Sequence, residues 1–337
     1  MILEGTVLAG PDYTPTTGRV VVEDGEIAAV EEATVDSADI VLPAFVNAHT
    51  HVGDSIAKEA GAGLTLDELV APPDGLKHRL LRDADREDLI AAMRRTLRFM
   101  RTTGTAAFVD FRESGIPGVT ALQEAATGID VEAVILGRET EDVLDVADGF
   151  GASSARDGQY ERARQATREA GLLFGIHAGE RDAGDINGAF DLDPDFIVHM
   201  VHPEPVHLDR LADRRTPVVV CPRSNLVTDA GIPDVNALRE RTTVALGTDN
   251  VMLDNPSLFR ELEFLSKVCD VPAPAALRMA TRSGAEIAGL DSGIIEPGRP
   301  GKLIVLDGDS DNLAGAQDPV RAVVRRAGTA DVKDVHL

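Results

Sequence analysis

Residues 40–51 have the sequence IVLPAFVNAHTH, an apolar run that ends in two histidines separated by one residue. In an extended strand, residues i and i+2 point to the same face, so the imidazoles of His49 and His51 converge on one point. Two neutral imidazoles at this spacing form half of a site for zinc or another borderline divalent metal. The same pattern also fits two histidines that are only hydrogen-bonded or solvated at a strand end, so the rest of the chain decides between the two interpretations.

Apolar runs and amphipathic helical patterns alternate through the middle of the chain. The candidate strands are residues 41–47, 105–111, 131–136, 146–150, 172–177, 196–199, 216–221 and 243–248. The helical patterns between them include residues 85–102, 159–170 and 255–268. Strand–helix alternation favours a parallel sheet, and eight strands predict an α/β fold of the (β/α)8 TIM-barrel type. A doubly wound open sheet is the alternative, but no Gly-x-Gly-x-x-Gly follows a strand to support it.

Both chain ends read as short strands and turns. Residues 18–30 form a predicted hairpin with Asp24-Gly25 as its tight turn. Near the C-terminus, residues 302–307 read as a strand, and residues 320–328 as another strand and turn. Neither end has enough apolar residues to fold alone, so we expect the two to pair in a small β-sandwich. The predicted domains are a composite β-sandwich, residues 1–43 and 294–337, and a TIM barrel, residues 44–293.

The composition is that of an ordinary globular protein of one or two domains. The chain has 337 residues, of which 43% are hydrophobic. It opens without the basic and apolar regions of a secretory signal, and no window has the roughly 18 apolar residues of a membrane span. Its only cysteines are Cys221 and Cys269, too few for a disulfide framework. A cytoplasmic protein is therefore expected.

The charge balance is strongly acidic. There are 33 basic and 57 acidic residues, which gives a net charge of −24, and only five of the basic residues are lysines. Such a surface repels polyanions, so nucleic acid and anionic membranes are excluded as partners, and a small-molecule substrate is expected. Homo-oligomers remain compatible with the sequence. Acidic residues scattered along the chain, together with few lysines, predict a halophilic protein. An acidic enzyme of a low-salt environment is the alternative interpretation.

Polar residues recur where the predicted barrel strands end, which is where functional residues lie in this fold. The fifth run ends in His177 with Glu180 three residues later, the sixth ends in His199, and the eighth ends at Asp249. Three imidazoles and a carboxylate can hold a catalytic metal and leave a position for water. Glu180 is placed to act as a general acid and base beside that water.

Five motifs occur in a fixed order along nearly the whole chain. They are His-x-His at 49–51, His-x-x-Glu at 177–180, His-x-x-His at 199–202, Cys-Pro-Arg-Ser-Asn at 221–225 and Gly-Thr-Asp-Asn at 247–250. In this order they resemble the amidohydrolase superfamily, specifically its cytosine deaminase-like and chlorohydrolase-like branch. The chain is shorter than many members, so some substrate loops are expected to be trimmed.

The resemblance implies a TIM barrel with a β-sandwich made from both termini, and it implies roles for the site residues. Glu180 shuttles the proton, and His199 polarises the substrate or orients the attacking hydroxide, while Asp249 helps to steady the intermediate. The implied ligands of one divalent metal ion, with zinc favoured over iron or manganese, are His49, His51, His177 and Asp249. A second metal is not expected, because none of the five lysines lies in a candidate strand where it could bridge two ions.

Other residues are weaker candidates. The predicted loop 57–78 follows the first barrel strand and is long enough to cover the barrel mouth. Weak substrate contacts are predicted for His78, Arg112, Arg138 and His202. Arg112 and Arg138 fit an inter-strand salt-bridge network nearly as well, and His202 fits a structural role. The remaining histidines, His207 and His336, are expected at the surface.

The sequence thus predicts a metal-dependent hydrolase of a non-peptide carbon–nitrogen bond, deaminating an aminated heterocycle. The same site could open a cyclic amide or imide instead, since the ligand set does not choose between them. A catalytically silent homologue that serves as a scaffold is the alternative from another class. The complete set of ligands and the retained glutamate argue against it.

The acidic surface predicts salt-dependent stability. Raising the salt concentration from about 0.1 M to several molar screens repulsion among carboxylates, so the melting temperature and the activity should both rise. Thermal unfolding followed across this range measures the effect. A melting temperature that stays flat or falls would contradict adaptation to high salt and would leave the metal site untouched.

Overall fold

A computed structural model describes all 337 residues. Fifteen strands divide between two sheets. In chain order the strands are β1 (Ile2–Ala9), β2 (Thr14–Glu23), β3 (Glu26–Glu32), β4 (Ile40–Pro43), β5 (Phe45–His51), β6 (Thr105–Arg112), β7 (Glu132–Gly137), β8 (Gly149–Ala152), β9 (Leu173–Ala178), β10 (Phe196–His199), β11 (Val218–Val220), β12 (Val244–Leu246), β13 (Asp249–Asn250), β14 (Leu303–Leu306) and β15 (Val332–His336).

Thirteen α-helices connect and cover these strands. They are α1 (Leu66–Val70), α2 (Leu76–Asp83), α3 (Arg86–Thr102), α4 (Gly115–Ala126), α5 (Glu161–Ala170), α6 (Ile186–Asp191), α7 (Pro205–Arg214), α8 (Pro222–Val227), α9 (Val235–Arg239), α10 (Leu258–Val268), α11 (Ala273–Ala280), α12 (Arg282–Ala288) and α13 (Pro319–Arg325). Short 3₁₀ helices lie at Val52–Ala57, Glu141–Asp145, Ala183–Asp185 and Thr329–Asp331. No helix combines the length and the apolar character that crossing a membrane requires.

The larger sheet is parallel and closes on itself. Its strand order is β12-β11-β10-β9-β8-β7-β6-β5-β13. The strands at its two ends, β12 and β13, belong to the single run 244–250, so the order begins and ends on the same stretch of chain. The backbone N–H of Thr248 donates to the carbonyl of His49 at 3.0 Å across this seam. The TIM-barrel-like fold predicted from strand–helix alternation is confirmed.

Close packing inside the barrel places an aromatic ring directly beneath the site. Phe111 of β6 is fully buried, with its ring 4.7 Å from that of His49 and 4.9 Å from that of His177, centroid to centroid. Glycines on the neighbouring strands make room for it, because a Cβ at Gly151 or at Gly175 would lie 2.6 Å from a ring carbon of Phe111. The site therefore has a solid hydrocarbon floor.

The smaller sheet joins the two chain ends. Its order is β15-β14-β4-β1-β2-β3, so β4 pairs with β1 on one side and with β14 on the other and thereby joins the three N-terminal strands to the C-terminal pair. The hairpin at residues 18–30 is confirmed, with Asp24 and Gly25 both at positive φ as its turn requires. Pairing of the termini is confirmed, but a second sheet facing this one, which a sandwich needs, is not. The predicted domain boundaries remain a prediction.

The predicted strand at residues 320–328 is wrong, because this segment contains α13 instead. The side chain of Asp318 accepts a hydrogen bond from the backbone N–H of Arg321 at 3.0 Å, and Pro319 occupies the first helical position. Val320, Val323 and Val324 then share one buried face at helical spacing. The cap and the spacing outweigh the β preference of valine.

The predicted loop at residues 57–78 is partly wrong as well, since it contains α1 and the start of α2. Thr65 and Glu68 form a capping box that begins α1. In α2, Lys77 and Leu81 are buried at helical spacing. The segment still lies over the barrel mouth, as predicted, because Leu66, Val70 and Lys77 line the central cavity.

The other strand and helix predictions are confirmed with shifted ends. The first run splits at Ala44, with β4 in the terminal sheet and β5 in the barrel. The expected surface position of His207 is wrong, because its side chain is buried and its Nδ1 accepts the backbone N–H of Glu204 at 3.0 Å. His207 thereby caps the start of α7, whereas His336 is partly exposed on β15.

Candidate active site

Three imidazoles and one carboxylate meet at the carboxyl end of the barrel. The Nε2 atoms of His49 and His177 are 3.3 Å apart. Asp249 Oδ1 lies 3.3 Å from His49 Nε2 and 3.5 Å from His51 Nε2. The structure thus brings together four residues from three separated strands, as the sequence predicts.

Strand ends and an unusual backbone aim these side chains inward. His49 and His51 share one face of β5, and His177 comes from β9 on the other side of the barrel. Asp249 has φ of +59° and His199 has φ of +83°, which are uncommon values for residues other than glycine. Strain of this kind collects at functional sites, because it turns a side chain out of the regular strand alternation.

Hydrogen bonds on the far side of the rings fix which nitrogen faces the centre. His51 Nδ1 lies 3.0 Å from the carbonyl of Phe111 and 2.9 Å from Glu113 Oε1, and His177 Nδ1 lies 2.9 Å from the carbonyl of Ala152. These oxygens only accept, so each Nδ1 carries the proton and each Nε2 presents a lone pair. Burial lowers the pKa of the His51 imidazole to about 3 and also lowers the pKa of His177, so both rings are neutral.

This donor set fits a divalent metal ion. The lone pair at Nε2 of His51 lies 3.5 Å from Asp249 Oδ1 without a proton between them, and the lone pair at Nε2 of His177 lies beside His49, an arrangement that a cation stabilises. Burial acts to raise the pKa of Asp249, but its hydrogen bond with His49 and the nearby imidazoles hold that pKa well below its usual range. Neutral imidazoles with an ionised carboxylate are the ligands that zinc takes in catalytic sites.

A second group of polar side chains lies beside the first. Glu180 follows β9, and its Oε2 is 3.5 Å from His199 Nε2. The Asn225 amide nitrogen is 3.2 Å from Glu180 Oε1 and 3.0 Å from His199 Nδ1. The two amide hydrogens of Asn225 allow it to donate to both Glu180 Oε1 and His199 Nδ1. Because Nδ1 of His199 then accepts, the proton of this ring lies on Nε2, toward the cavity. Burial raises the pKa of the Glu180 carboxyl.

The short helix α8 supports both groups of residues. Ser224 donates its hydroxyl to Asp249 Oδ2 at 2.6 Å, which leaves Oδ1 facing the imidazoles. The adjacent Arg223 anchors this helix, since its guanidinium lies 2.6 Å from Asp254 Oδ1 and 3.3 Å from Glu261 Oε1. Ser224 and Asn225 lie in the Cys-Pro-Arg-Ser-Asn motif, but the motif alone gave no role for either residue.

A buried ion cluster behind His51 contains the inter-strand salt-bridge network that the sequence offered as an alternative, and Lys77 is the member that sequence reasoning missed. Glu113 Oε1, which contacts His51, also lies 2.7 Å from Lys77 Nζ and 3.2 Å from Arg138. Burial acts to raise the pKa of Glu113, but Lys77, His51 and Arg112 together hold it well below its usual range. Lys77 could have been found only by recognising α2, whose buried face carries it.

Of the weaker candidates, two are placed at cavities and two are not. Arg138 lines the central cavity, and His78 lines a neighbouring chamber, with its Nε2 3.1 Å from the carbonyl of Val70. The expected substrate contact of Arg112 is wrong, because its buried guanidinium pairs with Glu113 and Asp110 in the alternative salt-bridge network. That of His202 is also wrong, because its Nε2 lies 2.8 Å from the carbonyl of Ala230, away from the central cavity.

The model of the amidohydrolase family matches residues 40–335. A protein of Methanocaldococcus jannaschii that carries no functional name is 32% identical, over 100% of this chain and 98% of that protein. A 5-methylthioadenosine/S-adenosylhomocysteine deaminase of Halobacterium salinarum is 31% identical, over 98% of this chain and 89% of its own.

Among solved structures, an adenosine deaminase of Xanthomonas campestris with bound zinc matches with a TM-score of 0.84. The match covers 100% of this chain and 91% of that one at 18% identity, which shows the shared fold. The resemblance read from the five motifs is confirmed by the family match and by the relatives.

The buried glutamate behind α8 predicts a measurable pH dependence of stability. Burial raises the pKa of Glu261 to about 8 from the ordinary 4.5, although Arg223 acts in the opposite direction. The folded state therefore keeps a proton that the unfolded state releases between these values. This contribution to the free energy of unfolding is fully present below about pH 4.5 and is lost as the pH rises through about 8.

Glu261→Gln has no such proton, so its free energy of unfolding should fall less than that of the wild type between pH 5 and pH 8.5. Urea unfolding at both pH values measures the difference. Glu263→Gln is the control, because Glu263 is exposed on the same helix and pairs only with Lys267. Parallel pH profiles for wild type and Glu261→Gln would show that Glu261 is ionised in the folded protein.

Proposed function

This chain belongs to the amidohydrolase family, and we propose that it is a metal-dependent hydrolase that removes the amino group from an aminated heterocycle. One observation carries the proposal. The inward-facing atoms of His49, His51, His177 and Asp249 converge at the barrel mouth, directly beside the pair formed by Glu180 and His199. The first group is suited to holding a metal and the second to moving protons.

His49, His51, His177 and Asp249 would hold one divalent ion, with zinc favoured over iron or manganese. When bound, such an ion supplies a water nucleophile at neutral pH by lowering the pKa of that water. A bridging ligand for a second ion is missing from the described strands. Lys77 pairs with Glu113 instead, and Glu139 turns away to accept the backbone N–H of Ser114 at 2.8 Å.

Glu180 is proposed to carry the proton. It accepts the first proton of the attacking water and delivers it to the ring nitrogen. It then takes the second proton from the new hydroxyl group and delivers it to the amino group, so that the carbon–nitrogen bond breaks, ammonia leaves and a carbonyl remains on the ring. Burial raises the pKa of this carboxyl, which favours its accepting a proton. The Asn225 amide holds Glu180 Oε1 in place during these transfers.

His199 is proposed to donate its Nε2 proton to the substrate as negative charge develops. The tautomer is set by Asn225 at Nδ1, so the donor is fixed before the substrate arrives. Asp249 steadies the same region, because the Ser224 hydroxyl restricts its rotation. A preformed donor costs little reorganisation, which is why it favours the transition state.

The two alternatives, opening of a cyclic amide and a catalytically silent scaffold, differ from deamination in what they require of the site. Opening a cyclic amide uses the same groups but releases no ammonia, so the product distinguishes the two reactions. A silent scaffold would have no need for the buried and strained arrangement of His199 and Asp249. The name of the Halobacterium salinarum relative favours deamination.

Replacement of the proton carrier should abolish turnover without emptying the metal site. Glu180→Gln keeps the shape and the Asn225 contact region but cannot accept the water proton, so kcat should fall by about 10²–10⁴-fold. Ammonia release and metal content are measured together. Glu169→Gln, on the exposed face of α5, is the control and should match wild type. Unchanged turnover in Glu180→Gln would reject the role of this glutamate.

Purified protein should contain about one equivalent of zinc, iron or manganese. His49→Ala or Asp249→Ala removes one of the four proposed ligands, so metal and activity should be lost together. Elemental analysis checks both, and His336→Ala in the terminal sheet is the histidine control. Two tightly bound equivalents in the wild type would contradict a single-metal site.

A further inference from the structure

The cavity above the site has one wall that is rich in hydrogen-bond donors. Lys77 and Arg138 both line this cavity, yet they are only 2% and 9% exposed. Lys77 is one of five lysines in a chain of net charge −24. Burying one of so few ammonium groups beside a cavity is costly unless the group has something to bind there.

The protein itself leaves several of these donors without an acceptor. Of the three N–H groups of Lys77, one is directed to Asn250 Oδ1 at 3.1 Å and one can serve Glu113. Asp54 Oδ2, at 3.7 Å, is beyond hydrogen-bond distance. Arg138 has five N–H groups and makes two hydrogen bonds, to Glu113 Oε1 and to the Ser153 hydroxyl.

A single carboxylate serves both of these cations. Glu113 is the only acidic partner of Arg138, and the same oxygen of Glu113 also pairs with Lys77. The other oxygen of Glu113 pairs with Arg112. Arg112 also pairs with Asp110, at 3.6 Å, but Glu113 is the only carboxylate within hydrogen-bond distance of Lys77 or Arg138. These two cations therefore share one negative charge, and positive charge remains at the cavity wall.

This wall lies across the barrel from the groups that move protons. Glu113 follows the second barrel strand, β6, and Arg138 follows the third, β7, whereas Glu180 and His199 end the fifth and sixth strands. A substrate with its reacting carbon beside Glu180 would therefore turn its far edge toward Lys77 and Arg138. That edge of the substrate must offer hydrogen-bond acceptors, because Lys77 and Arg138 have more N–H groups than the protein supplies acceptors for.

Arg138 also lies at the boundary between the central cavity and a second cavity. The central cavity has a volume of about 110 Å³, and Arg138 and Ser153 line both it and an outer chamber of about 440 Å³. His78 and Tyr160 belong to the wall of the outer chamber. A substituent that passes Arg138 can therefore extend beyond the small space that surrounds the ring.

We propose that the substrate is an aminated heterocycle bearing an oxyanion substituent, a carboxylate or a phosphate, that binds Lys77 and Arg138 at the boundary of the two chambers. The planar fork of Arg138 matches the paired oxygens of either group, and Lys77 adds a point charge. The identity of the reacting ring rests on the proposed function, whereas the binding of the oxyanion does not need turnover.

Equilibrium binding to the metal-loaded Glu180→Gln protein tests the inference, because this variant should bind without reacting. Calorimetry compares two matched pairs of probes, 4-aminopyrimidine with its 5-carboxylate and adenosine with adenosine 5′-phosphate. We expect an oxyanion-bearing member to bind at least tenfold more tightly than its uncharged partner. Preference in the first pair identifies a carboxylate, and preference in the second identifies a phosphate.

Adding Arg138→Gln or Lys77→Met should reduce that preference to twofold or less, while the uncharged partners keep their affinity. Arg164→Gln is the matched control, because Arg164 is a buried arginine paired with Asp195 outside both chambers. Arg138→Lys keeps a cation and should retain part of the preference. Metal content, measured for every variant, shows that the neighbouring ligands are intact.

Equal affinity for both members of each pair, or an equal loss for both members in Arg138→Gln, would overturn the oxyanion site. Failure of the proposed function looks different. If protein with Glu180 intact releases no ammonia from any probe while the oxyanion preference persists, deamination of these rings is rejected and the oxyanion site stands.

Discussion

Closure of the parallel sheet between β5 and β13 is the constraint on which the site depends. At this seam Thr50 and His51 pair with Asp249 and Asn250, and the Asn47 side chain makes two hydrogen bonds with Thr248, at 2.8 and 3.1 Å. These contacts join residues about two hundred positions apart in the chain and bring an aspartate to the two histidines of β5. Without this seam, the Asp249 carboxylate would not be held beside the imidazoles of His49 and His51.

The order of strands and the converging residues could be predicted because both follow from short-range periodicity. His49 and His51 are forced to one face by strand geometry, and the ends of parallel strands in a barrel share one level. Lys77 could not be found this way, since its position depends on the tertiary docking of α2. For α13, a cap at Asp318 overrode the β preference of three valines, which shows how a single side-chain hydrogen bond decides an ambiguous segment.

Three buried cations contact one carboxylate, that of Glu113. Glu113 holds the far nitrogen of His51 and is itself held by Lys77, Arg112 and Arg138. Each member of this cluster orients another. The cluster therefore fixes α2 over the barrel mouth, strand β6 and His51 relative to one another. Such networks are demanding, since removing one member leaves charges buried without partners. If the proposed oxyanion binds there, structural support and substrate recognition fall on the same side chains.

The Phe111 ring, seated in the space that two glycines leave, gives the barrel a dry underside. The ring places hydrocarbon beneath His49 and His177, on the side of these imidazoles that faces away from the barrel mouth. The low polarity on that side strengthens the charge interactions above it. A side chain that fills the barrel interior therefore also helps to set the electrostatics of the site.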